Sequence, residues 1–369
     1  MSNFIKGREL CRGFFLDCAK PILDRCFPAL PYSAGLIGYG SDVLGYDDAV
    51  STDHMWGPRF YLFLQESDIG RKEEIMAAFG SSLPCTYKGY SVNFSKPDPN
   101  DNGVRHPEFV TEGPVHPLIF IETFSDFLTE RLGTADLEHI APLDWLAFSE
   151  HRLLSLVAGQ FWEDQLGLQQ RLEPVRYYPR DVKIYLAASN WEMIAAEQAF
   201  MKRCGSCGDE IGSMLVAARI AERLMRLCFL YKDTYAPYSK WFGTAFSRLP
   251  VDESIKTALH GALYESTLTE REDCLVTAQA LVAQLHNESG LTPPVPYRIQ
   301  PYFGRDIKVI YADRICQAIT QSLKGTAFEK LPLIGRFSAV SSWSEFTDHP
   351  VNYPYIRHFY EGTLDGETL

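Results

Sequence analysis

The residues of this chain whose types and spacing best suit chemistry lie in "GLIGYGSDVLGYDDAVSTDHMWGPRF", residues 35–60. An apolar run ends in Gly40 and Ser41, a loop follows, and Asp53 stands just before a second apolar run. A glycine at position 40 lets backbone come close to a triphosphate. The Ser41 hydroxyl and nearby amides can bind phosphate oxygens. In an extended segment side chains alternate, so Asp53 and position 55 would project to one side. Two carboxylates there would share divalent metal ions, which neutralise phosphate and align an attacking oxygen. Position 55, however, is methionine, whose thioether offers no hard oxygen for Mg²⁺. Glu122, late in the apolar run "PLIFIETF", is the candidate for a further carboxylate ligand. This is the logic of moving a nucleoside monophosphate from a triphosphate.

Three other glycine motifs fail residue by residue. Gly38 and Gly40 begin a dinucleotide fingerprint, but position 43 is valine. No Gly-Lys-Ser/Thr occurs, and Gly40-Ser41 lacks the frame of a hydrolase elbow. Each candidate also has a plainer role. Gly40 and Ser41 can form a turn, and Asp53 can cap one. Asp47 and Asp48 read as a solvated turn, and His54 as structural. Arg59 can neutralise phosphate or pair with a nearby Asp. Glu122 can be a buried ion-pair partner. Farther on, "DTYAPYSKWFGTAF" offers Tyr235, Tyr238 and Trp241 as stacking surfaces and Lys240 as a point charge for phosphate. The plainer role there is aromatic packing around a helix that starts at Pro237. Asp209 and Glu210 precede a long helical pattern, where carboxylates favour the helix dipole. Asp164 is a weaker candidate.

The elements that must hold these residues fall into two textures. Helical spacing over 4–26, interrupted by Pro21, leads into a buried strand from residue 32. Strands are expected at 59–64, 89–95 and 117–124, with a helix over 69–80 and a polar loop at 95–108. Beyond about residue 135 long helical patterns take over, at 150–160, 180–203, 208–232, 253–264 and 269–288. A Pro-rich connector at 291–303 precedes a helix near 311–323. The division is 1–135, an α/β domain; 136–290, a helical bundle; and 291–369, a connector and extension packed on the rest.

With 369 residues, 46% of them hydrophobic, the chain can build two cores. A net charge of −12 disfavours extended nucleic-acid binding and favours a cationic small substrate. No apolar run reaches the roughly 18 residues that span a bilayer, so no membrane partner is expected. The start lacks an apolar signal core, and nine scattered cysteines suit a reducing compartment, so the expected location is the cytoplasm. Cys204 and Cys207 form a lone C-x-x-C without the further ligands of a structural zinc.

"GSDVLGYDD" followed by "STDHMWGPRF" resembles the nucleotidyltransferase superfamily, whose pattern is Gly-Ser, a spacer, Asp-x-Asp or Asp-x-Glu, and a third carboxylate on a later strand. More closely, the chain is similar to an uncharacterised bacterial family within it that carries a "STDHDWGPR" segment. "RCGSCGDEIGSMLVAARIAERLMRLCFLYKDTYAPYSKWFGTAF", 203–246, resembles that family's helical domain. The resemblance covers most of residues 35–250. It implies an α+β chain: a nucleotidyltransferase-like mixed sheet with helices, then a mostly α-helical domain, similar in architecture to aminoglycoside nucleotidyltransferases such as the kanamycin enzyme. It also implies Mg²⁺ (or Mn²⁺) on Asp53 and Glu122, ATP or another nucleoside triphosphate at Gly40 and Ser41, and a small-molecule hydroxyl acceptor; by residue type, Arg59, Tyr238 and Lys240 are further candidates to bind the nucleotide. Met55 stands where the family has its second Asp, which leaves two expectations: an impaired transferase, or a pseudoenzyme that binds nucleotide or metabolite without catalysis.

Overall fold

A computed structural model describes residues 4–52, 55–339, 341 and 343–364. Asp53 and His54 lie outside the described residues. The fold is α+β, with a mixed four-stranded sheet and a helical C-terminal region. The chain forms two compact units: 1–139 with 152–176, and 140–151 with 177–369. The first unit therefore takes back residues 152–176, which helical texture alone assigns to the bundle, and residues 291–369 belong to the second unit.

The sheet of the first unit has the order Leu118–Thr123, Arg59–Leu64, Tyr32–Leu36, Gln160–Asp164. The strands 59–64 and 118–123 run parallel, and the other two pairings are antiparallel. All six residues of "RFYLFL" are buried. A strand buried on both faces needs no alternation of polar and apolar residues, which is why this run reads as continuously hydrophobic. On one face Phe60, Leu62 and Leu64 join Leu10, Phe14, Phe15 and Ile121 in the main core. On the other, Tyr61, Phe63 and Phe120 stack and meet Phe124 and Phe127. Gly35 is needed by packing: a Cβ there would lie 2.3 Å from the Gln160 carbonyl of the neighbouring strand.

The N-terminal helix is not continuous. Gly7–Phe14 passes through a π-helical turn, Phe15–Ala19, into Lys20–Cys26. The irregular turn immediately precedes Pro21, whose ring and missing N–H disturb the preceding turn. The expected strand at 89–95 shrinks to a two-residue ladder, Tyr90–Ser91 with Thr86–Tyr87. The strand Leu118–Thr123 runs without a loop into the helix Phe124–Leu132, capped by Thr123, whose side chain accepts from the Asp126 amide.

The second unit is helical, built on Arg180–Glu197, Glu210–Tyr231, Glu253–Tyr264, Leu268–Ser289 and Ala312–Thr320. Side-chain caps start three of these at Asp209, Asp252 and Thr267. The Thr267 hydroxyl also donates to the Glu270 carboxylate at 2.6 Å. No helix among the described residues is long and apolar enough to cross a membrane.

Candidate functional site

After Leu36 the chain turns through Gly38 (φ 95°) and Gly40 (φ 111°) into one helical turn, Ser41–Leu44. A Cβ on residue 40 would fall 2.2 Å from Asp42 Oδ1 and 2.5 Å from Arg59 Nη2. The close approach expected between Gly40 and a phosphate is thus made instead by the chain's own ion pair. Arg59 opens the second strand. It donates from Nε to Asp42 Oδ2 at 3.1 Å, and from Nη2 to Asp42 Oδ1 and the Tyr39 carbonyl, both at 2.7 Å. Arg59 and Asp42 are each 1% exposed. Burial works against the Arg59 charge, but Asp42 beside it more than offsets this and holds the guanidinium above its ordinary pKa. Of the two roles open to Arg59, the structure displays pairing with an aspartate.

The other acidic residues of the segment are engaged as well. Asp47 is buried, not solvated as the sequence suggested. Its Oδ2 accepts from the Gly7 amide at 2.6 Å, at the start of the first helix, and from Trp56 Nε1 at 3.2 Å. Asp48 is exposed and closes its own turn by accepting from the Val50 and Ser51 amides, bonds that lower its pKa. Ser41 is half-buried and donates from Oγ to the Ser51 carbonyl at 3.3 Å.

Met55 takes a left-handed backbone, φ 47°. The segment is not extended at this residue. The Met55 sulfur lies 4.0 Å from the Tyr39 hydroxyl, which donates to it. Glu122 is also separated from the turn. In the parallel pairing Leu118 opposes Arg59 and Glu122 opposes Phe63, four residues along. At about 3.3 Å per residue that is about 13 Å from Arg59. Glu122 is half-buried, and burial, then Glu130, raise its pKa to about 7. Among the described residues no group of three or more His, Cys, Asp or Glu is placed to hold a metal ion. Asp42 is taken by Arg59, Asp47 by a helix amide, and Glu122 lies down the strand, while Asp53, the first expected ligand, is outside the described residues.

The turn also gathers two arginines, each beside a carboxylate: Arg59 on Asp42, and Arg131 at 3.6 Å from Glu130. The Tyr39 ring lies 4.3 Å from the Arg59 guanidinium and 5.7 Å from that of Arg131. Arg131 comes from the last turn of the helix Phe124–Leu132 and donates from Nη2 to the Tyr61 hydroxyl at 2.9 Å. Its Nε would lie 3.7 Å from a Cβ on Gly38, so it borders the glycine turn. Arg59 Nη1 and Arg131 Nε are buried and have no hydrogen-bond partner among the described residues. Buried donors are normally paired, so two orphans on one turn are a specific feature. Neither Tyr39 nor Arg131 stands out in the sequence: an arginine near a helix end is an ordinary helix-terminal residue.

Tyr238 and Lys240 belong to the second unit. Tyr238 is half-buried at the start of the helix Ser239–Arg248, with its ring 4.8 Å from that of His151. It lines a cavity of about 450 Å³. Lys240 is exposed, lies over the Trp241 ring at 5.1 Å and does not line that cavity. Tyr235 is no stacking platform: it is buried against Tyr177 and Tyr178, each ring 4.8 Å away. Asp209 is a helix cap, and Glu210 pairs with Arg271. Asp164 accepts from Ser33 Oγ at 2.7 Å and from the Leu168 amide at 2.8 Å, a structural role at the sheet edge.

No curated protein matches the chain. Residues 145–242 match a family described as Domain of unknown function (DUF4037), a stretch that supplies Tyr238 and much of the wall of its cavity.

Proposed function

We propose that this chain is a nucleotidyltransferase-like protein that binds a nucleotide or a related phosphorylated metabolite and does not carry out metal-dependent transfer. The observation that carries this reading is the pair of buried, unpartnered donors, Arg59 Nη1 and Arg131 Nε, flanking Tyr39 on the Gly38–Ser41 turn. An anion there would satisfy donors that are costly to leave unpaired. The unpartnered guanidinium N–H groups would bind phosphate oxygens, but they would supply no activated nucleophile. Met55 in the left-handed conformation, with its sulfur on Tyr39, supports the same reading.

Calorimetry with a nonhydrolysable ATP analogue tests it, in Mg²⁺ and in EDTA. The affinity should agree within about threefold between the two conditions. Arg131→Met should lower it at least tenfold, about 1.4 kcal/mol. Ser41→Ala should cost about 1 kcal/mol, the worth of a typical hydrogen bond. No binding by the unaltered chain overturns the reading. So does a tenfold Mg²⁺ dependence that Asp53→Ala abolishes, which would restore the transferase.

A further inference from the structure

The second unit holds a separate cationic feature. Beside the cavity of about 450 Å³ is a smaller one of about 40 Å³, and the two share Glu150, Arg226, Arg336 and Ser338 as lining residues. A water molecule needs roughly 10–15 Å³ of such space, so the smaller cavity has room for a group of several atoms. Three arginines line it: Arg223, Arg226 and Arg336. Their partners differ. Arg226 is compensated, with Glu222 at 2.8 Å and Glu150 at 3.8 Å. Arg336 is 8% exposed, and its guanidinium donates to the Tyr178 hydroxyl and the Phe148 carbonyl, both neutral. Arg223 donates to the Ala339 carbonyl, at 3.5 Å. Among the described residues neither Arg223 nor Arg336 has a carboxylate within ion-pair distance.

Buried charge without a counter-charge is expensive. Burial, followed by the neighbouring Arg226, lowers the Arg223 pKa against the smaller raising effects of Glu222 and Glu197. The larger cavity has a different character, with Leu146, Met225, Tyr238, Phe242 and Phe337 in its wall. An aromatic and aliphatic chamber opening beside an arginine-lined recess suits a molecule with an apolar body and an anionic end. Two uncompensated guanidiniums match the double charge of a phosphate monoester better than the single charge of a carboxylate.

We infer that the second unit carries its own binding site for an organic phosphate monoester, with the phosphoryl group between Arg223 and Arg336 and the organic part against Tyr238 and Phe242. This site is independent of the Tyr39 turn and does not rest on the function proposed for it.

Calorimetry on the full chain with phenyl phosphate, inorganic phosphate, benzoate and phenol as probes tests the inference. Phenyl phosphate should bind at least tenfold more tightly than inorganic phosphate or benzoate, and phenol should bind weakest. Arg223→Met should weaken phenyl phosphate at least tenfold. Ser338 is exposed and borders both cavities, so Ser338→Asp places a carboxylate beside the arginines without disturbing the core. It should weaken phenyl phosphate by a similar factor while keeping the melting temperature. If either variant unfolds, the other still decides. Equal affinity in the folded variants and the unaltered chain overturns the inference, as does no binding at millimolar probe. A loss that follows Arg131→Met and spares Arg223→Met also overturns it, because the phosphate is then held by the first unit.

Discussion

Gly40 and Met55 show how single residues divide between what a sequence suggests and what the packed chain needs. Both take backbone angles that side chains disfavour. At position 40 the conformation and the space agree on glycine. Gly40→Ala would push a methyl group into Asp42 and Arg59, and should cost about 3 kcal/mol by denaturant unfolding. At position 55 the conformation argues against methionine. Met55→Asn places a residue that tolerates the left-handed region, and should raise stability by about 1 kcal/mol in the same measurement. Two titratable groups, one buried and one half-buried, make opposite pH predictions. His286 is buried with Nε2 at 2.8 Å from Thr292 Oγ1 and Nδ1 without a partner among the described residues, and burial lowers its pKa from 6.5 to about 4. The unfolded chain then binds the proton more readily, so its contribution is full above pH 6.5 and is lost as pH falls toward 4. Glu122 is raised from 4.5 to about 7, so its contribution is present below pH 4.5 and is lost as pH rises through 7. Melting temperatures across pH check both. Glu122→Gln should melt above the unaltered chain at pH 8 and match it near pH 4.5.

At the scale of elements, the strands at 32–36, 59–64 and 118–123 were legible because each is an apolar run bounded by turn residues. The helix Phe124–Leu132 was hidden for a physical reason. No glycine, proline or polar loop separates it from the strand before it, so its apolar residues continue the strand's run. Yet it carries Arg131 to the glycine turn. Its start depends on Thr123, and Thr123→Ala should cost about 1 kcal/mol, read by thermal or denaturant unfolding. The edge strand Gln160–Asp164 was equally obscure. It is five partly exposed or exposed residues lying between helical patterns, and it pairs with a strand more than a hundred residues earlier. The Asp42–Arg59 pair has the same character. Spacing can offer Arg59 an aspartate, but only the folded turn selects which one. Because both partners are buried, Asp42→Ala should cost about 3–5 kcal/mol, a loss much larger than removal of a surface pair.

At the scale of the whole molecule, a change of texture near residue 135 announces two units but not the route between them. The chain crosses from one to the other after residues 139, 151 and 176. Composition marks where a pattern changes, not which segment returns. The crossings matter for the order in which the protein can be completed as it is made. The strand Tyr32–Leu36 stays an open edge until Gln160–Asp164 arrives, and open edges recruit other chains. The wait in the second unit is longer. Ser149 donates to Asp348 and its amide to the Tyr353 hydroxyl, so the short segment 140–151 gains these partners about two hundred residues after it is made. At roughly 5–20 residues per second, that is a gap of about 10–40 s on the ribosome. Through that interval the segment 140–151 is made but still lacks these two partners.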